Sequence, residues 1–174
     1  MNAAAFTLAL VYARRMVPGL TTVLLVLLSQ LPLPLPFFAD IAPALPLMAI
    51  YYWVVFRPDL MPRVVVFAIG LFHDALIGAP FGLTALIYLL AQAFVLTPRR
   101  FLVGKPFWIF WSGFAIVAPA ASLLTWTLAS LLRGAILPVD AVAVATLLTV
   151  VTFPVVAWVL LRSQRWLVGL ADPV

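Results

Sequence analysis

The only histidine of the chain stands directly before one of its five aspartates, at His73 and Asp74, and no other stretch concentrates acid–base groups in this way. The remaining acids are Asp40, Asp59, Asp140 and Asp172; glutamate and cysteine are absent. A catalytic dyad needs side chains that face each other, whereas sequence neighbours on a helix point about 100° apart and do not meet. His73 and Asp74 are therefore expected to serve different neighbours. An intramembrane aspartyl protease needs two acids at depth, and the only other acid near an apolar run is Asp140, placed at a helix start as a cap. No GxS motif precedes His73 as a rhomboid-type serine enzyme would require, and neither GxGxxG nor GxxxxGK[ST] occurs. One imidazole and no thiol cannot make a zinc cluster of familiar spacing. The chain reads as no enzyme, with no cofactor and no metal.

Asp74 then needs a structural explanation. It lies in GLFHDALIGAPFG, residues 70–82, inside an otherwise apolar region. A carboxylate at membrane depth costs roughly 3 kcal/mol or more and turns towards protein or water. On a helix, Gly70, Asp74 and Gly78 share one face at i, i+4 and i+8, so the acid falls between two places where another backbone can come close. GAPFG next makes a charge-free turn containing Pro80, and a second apolar helix starts at Gly82. The unit expected is a helical hairpin with its acid near the tip. There the carboxylate would bond donors of an approaching helix or amides of the turn, and asparagine would keep the shape and an acceptor oxygen.

The elements that position this hairpin follow from composition. With 67% hydrophobic and 9% charged residues over 174 positions, and a mean hydropathy of +1.25, the chain is far more apolar than a soluble domain. The expected class is all-α: one integral-membrane domain over residues 1–174 with six transmembrane helices, at about 17–31, 41–56, 64–78, 82–96, 107–132 and 138–161. Asp40 is a reasonable N-cap for the second, with Pro43 in its first turn. Tyr51, Tyr52 and Trp53 lie towards its far end, where an aromatic belt is expected. The third and fourth stretches offer only about 22 Å of helix against roughly 30 Å of hydrocarbon, so their tip need not cross fully. Pro119 and Pro154 are expected to bend the last two helices.

Charge orients the set. The arm before the first helix, the loops after the second and fourth, and the tail hold two, two, three and two basic residues, which leaves Arg133 alone on the opposite side. Nine of ten cations on one side place both termini in the cytoplasm. The net charge of +5 thus reports membrane topology and not nucleic-acid binding. Arg14 and Arg15 before an apolar run could also mark a signal peptide, but no small-x-small site follows, and the first helix is expected to be retained. LPLPLP, residues 31–36, cannot continue a helix and reads as a stiff outer spacer. The tail after Arg162 could lie at the interface.

Two segments carry a resemblance. YYWVVFRPDLMP (residues 51–62) and AIGLFHDALIGAPFGLTALIYLLAQ (residues 68–92) resemble the MreD family of bacterial rod shape-determining membrane proteins. The shared pattern is a tyrosine–tryptophan pair before an arginine–proline loop, a GLxxD segment, a Pro/Gly turn and a leucine-rich helix. It maps onto Tyr52, Trp53, Pro58, Gly70, Leu71, Asp74, Gly78, Pro80, Gly82 and Leu83. His73 and the proline run have no place in it. The resemblance implies a non-enzymatic scaffold of the elongation machinery for side-wall peptidoglycan in the bacterial inner membrane. Its implied partners are an MreC-like periplasmic scaffold, the elongasome transpeptidase and glycosyltransferase, and, indirectly, an actin-like cytoskeleton, with membrane lipid around it. It also implies a fold like the substrate-binding subunits of energy-coupling-factor transporters. A vitamin-binding subunit of that kind is the alternative function, against which stand the short, nonpolar outer loops and the misplaced AxxxA pattern (Ala75 to Ala79).

Overall fold

The computed structural model describes residues 3–31, 42–136 and 138–169, with side chains from Arg15 to Gln164. Asp40 and Pro32 to Pro36 of the proline run lie outside the described residues. Those described form seven α-helices and one 3-10 turn, without strands. They are α1 (Ala3–Ser29), α2 (Leu45–Phe56), the 3-10 turn (Pro58–Leu60), α3 (Arg63–Ile77), α4 (Leu83–Leu96), α5 (Arg99–Leu102), α6 (Phe107–Arg133) and α7 (Val139–Gly169).

The core is built around α2. Its sequence, LPLMAIYYWVVF, has no charged position on any side, and a helix apolar all round is a buried one. All ten residues from Pro46 to Val55 are buried. Helices α1, α4 and α7 pack directly on it, and α6 closes the ring against α4 and α7. Tyr51 sits among Phe110, Phe114 and Phe153, with ring centroids 5.1 to 5.6 Å away. Its hydroxyl donates to the Phe110 carbonyl at 2.9 Å, giving the polar end of the ring a partner.

Several expectations change here. Tyr51, Tyr52 and Trp53 form no lipid-facing belt: each is only 2% exposed, because α2 is enclosed by other helices at that level. The start of α2 is not at residue 41. Pro46, not Pro43, occupies its first turn, and Ala44 is the N-cap. Ala44 N–H donates to Thr149 Oγ1 of α7 at 3.0 Å, so a neighbouring helix satisfies this end. Helix α1 runs unbroken from Ala3 through Arg14, Arg15 and Pro18. Thr21 and Thr22 bond back to the Val17 and Pro18 carbonyls at 2.8 and 2.6 Å, satisfying their hydroxyls within the helix. The basic segment after α4 contains the short helix α5, and α7 continues through Arg162 to Gly169.

Among the described residues, α6 and the 139–164 segment of α7 are long and apolar enough to cross a membrane individually. The 12 residues of α2 and 14 of α4 give about 18 and 21 Å of helix, against roughly 30 Å of hydrocarbon. The shortest of these, α2, is the enclosed one, whereas α6 and α7 expose much of their apolar surface.

Candidate functional site

The hairpin of α3 and α4 is assembled in layers. Val66, Ile69, Gly70 and Asp74 make the buried stripe of α3, with the i, i+3 and i+4 spacing of one helix face. Opposite it α4 presents Ala85, Tyr88 and Gln92, all buried. At Gly70 the two helices come so close that a Cβ would lie 2.3 Å from the Ala85 Cα. Only a residue without a side chain fits there.

Asp74 closes the tip with both its main chain and its side chain. Its carbonyl accepts from the amides of Gly78 and, at 3.2 Å, Ala79, which ends α3. Its carboxylate reaches across the turn: Oδ2 accepts from Gly82 N–H at 2.9 Å and Oδ1 from Thr84 N–H at 3.0 Å. These are orphan donors at the start of α4, and the carboxylate sits at the positive end of that helix's dipole. Two charge-assisted bonds compensate the desolvation of a fully buried acid. Since both oxygens are used, the one acceptor oxygen that an asparagine keeps would satisfy only one of the two amides.

Gly78 also differs from expectation. A Cβ there would meet nothing within 4 Å, so close approach is not its role. Its φ of +65° puts it in the left-handed region, where glycine ends a helix without strain. Gly82 has φ +94° and precedes α4. Pro80 is exposed between them, and its carbonyl accepts from Leu83 N–H at 3.1 Å. His73 turns to a different neighbour from Asp74: its Nδ1 lies 2.9 Å from the Tyr88 hydroxyl, and the two rings stack at an interplanar angle of 11°.

The remaining motif residues lie around α2. Trp53 Nε1 donates to Thr21 Oγ1 of α1 at 3.0 Å, and the Tyr52 hydroxyl to Gln164 Oε1 of α7 at 3.0 Å. Pro58 starts the 3-10 turn, which ends at buried Met61. Gln92 Nε2 donates to the Met61 carbonyl at 2.8 Å and ties the turn to α4. Arg99 Nε donates to the Val55 carbonyl at 2.9 Å and so covers the end of α2. Gln92, Tyr88, Thr21 and Gln164 carry these bonds although their types alone did not single them out. Gln92 was the most legible, as the lone amide in an apolar helix. The sequence-singled residues form two clusters: Gly70, Asp74, Gly78, Pro80 and Gly82 at the hairpin, and Tyr52, Trp53 and Pro58 along α2 and its exit. Among the described residues no three of His, Cys, Asp and Glu converge to hold a metal ion.

Apolar helices are wrapped round a buried one, and among the described residues two are long and apolar enough to cross a bilayer. The family model of the rod shape-determining protein MreD matches residues 13–134, well over half of the chain and all of both clusters. The chain belongs to the MreD family, and with it to the proteins of rod-shape determination. No curated protein and no solved structure matches the chain, so the likeness to energy-coupling-factor subunits gains no support from that side.

Proposed function

We propose that the chain is a non-enzymatic, multi-pass scaffold of the bacterial inner membrane, one domain of six spans with both termini in the cytoplasm. It controls side-wall peptidoglycan synthesis by helix packing against partners. Those partners are an MreC-like periplasmic scaffold and, through it or beside it, the elongasome transpeptidase and glycosyltransferase and the actin-like cytoskeleton.

The family match carries this reading. Three features support it. The acid of the motif has both oxygens engaged by backbone amides, an arrangement suited to holding a hairpin. The short helix α2 is enclosed by α1, α4 and α7, and α4 packs on α6, as helices too short to span unaided require. The outer helices expose broad apolar faces, including Ile116, Leu123, Leu147 and Trp158. Such faces meet lipid or partner helices with equal ease.

The test is depletion of the chromosomal copy. The intact chain should restore rod shape and co-purify with the MreC-like protein, and reporters fused after Met61 and Lys105 should be cytoplasmic, with one after Ala135 outside. Cells that stay round despite normal membrane levels, or a reporter after Lys105 on the outside, would overturn it.

A further inference from the structure

An apolar groove runs along the seam of α4 and α6, and its base is formed by the most basic segment of the chain. Two adjoining cavities make it, of about 380 and 360 Å³, with Phe94 and Val117 lining both. The deeper wall is small, with Ala91 and Ala121 in one half and Gly113 in the other. The rims are large and open: Leu90, Phe94, Ile116 and Leu124 are all exposed. Along α6 the lining extends from Ile109 to Leu124, which at 1.5 Å per residue is about 22 Å. One leaflet is about 15 Å of hydrocarbon. The groove is therefore long enough to take the full depth of an acyl chain.

Its lower end is closed by Pro98 and Leu102. The same short segment carries Arg100 and Lys105, both exposed. Arg99 is turned inward to the Val55 carbonyl. Among the described residues neither Arg100 nor Lys105 meets an acid, and the one ion pair joins Arg57 to Asp59. A trough with apolar walls and unpaired cations at its membrane-surface end matches one ligand chemistry: a hydrocarbon chain bearing a negative headgroup.

We infer that the α4–α6 groove binds an anionic glycerophospholipid of the inner leaflet, with one acyl chain against Gly113, Val117 and Ala120 and its phosphate at Arg100 and Lys105. The assignment rests on the topology proposed above, which puts this segment at the cytoplasmic surface. A partner helix is the less suited occupant. At 10–12 Å across it would cover the two cations and would have to bring its own acids to them.

The experiment uses the full chain purified in detergent, with native mass spectrometry against phosphatidylglycerol and phosphatidylcholine of identical acyl chains. Phosphatidylglycerol should be retained more tightly by at least tenfold, because each cation near an anionic surface contributes about fivefold. Arg100→Gln with Lys105→Gln should remove that preference. Ala120→Phe, a filling change at an exposed groove position, should weaken phosphatidylglycerol at least fivefold with both cations intact. Ile116→Trp is the second filling variant, should Ala120→Phe not accumulate. Arg133→Gln, at the other end of α6, should change nothing. Equal retention of the two lipids overturns the inference. So does loss on removing the cations without loss on filling the groove, which would mark surface attraction alone. Cross-linking from position 116 in membranes to another protein chain, with lipid absent, would overturn it in favour of a helix. Labelling of Lys105→Cys by a membrane-impermeant maleimide from outside the cell would sink the topology while the detergent measurements still report whether the groove holds lipid.

Discussion

Two helix pairs of this protein are built on different principles. In α3–α4, helices of 15 and 14 residues are joined by a turn that Asp74 holds through four backbone amides, and their crossing is set at Gly70. In α6–α7, helices of 27 and 31 residues meet through a connection that begins at Gly134, a glycine C-cap with φ +63°. No acid pins that connection among the described residues. Much of the outer surface of both long helices is exposed and apolar. Helices too short to be fixed by length against the bilayer take their geometry from polar bonds and close backbone contact. The long ones are each apolar and long enough to cross a bilayer, and they pack on each other, α6 also on α4 and α7 also on α2.

Removing the pin should give the largest effect. Asp74→Leu leaves the Gly82 and Thr84 amides without their acceptor, at about 1–3 kcal/mol each. Asp74→Asn keeps one bond and should fall midway, separating the need for two acceptors from a need for one. Thermal unfolding in detergent, read beside membrane abundance, should rank wild type above Asn above Leu. If Asn is as damaging as Leu while abundance stays normal, the charge itself is needed, and an ion site or a salt bridge to a partner replaces the structural role.

The crossing comes next. Gly70→Ala drives a Cβ into the Ala85 backbone and should destabilise by about 3 kcal/mol. Gly78→Ala meets open space and should cost only about 1 kcal/mol, the strain of a left-handed alanine. Equal losses in the two variants, measured in the same unfolding assay, would show that close approach does not govern this hairpin.

The smallest effects separate core from periphery. Trp53→Phe removes the bond to Thr21 inside the α1–α2 contact and should cost about 2 kcal/mol. Trp111→Phe removes a similar bond, Nε1 to the Val150 carbonyl at 3.0 Å, between the long helices, where Trp111 is more than one-third exposed. It should cost about 0.5 kcal/mol. A Trp111 variant as unstable as the Trp53 variant would mean that α6–α7 depends on polar bonds as the short hairpin does.

Much of this was determined by the sequence itself. Apolar content set an all-helical class, the GLFHDALIGAPFG stretch marked the hairpin and its acid, and the Tyr–Trp and GLxxD patterns led to the family that matches. Turn chemistry is local, so a glycine, a proline and an acid within a few residues announce themselves. Only the tertiary structure decided which helix is enclosed, that Tyr51, Tyr52 and Trp53 belong to the core, which amides Asp74 holds, and that His73 pairs with Tyr88. Hydropathy measures how apolar a residue is, and lipid tails are as apolar as the side chains of a neighbouring helix. The same run of Leu, Val and Ala therefore serves the centre of the bundle or its outer face. The choice between them is made by where the other helices pack.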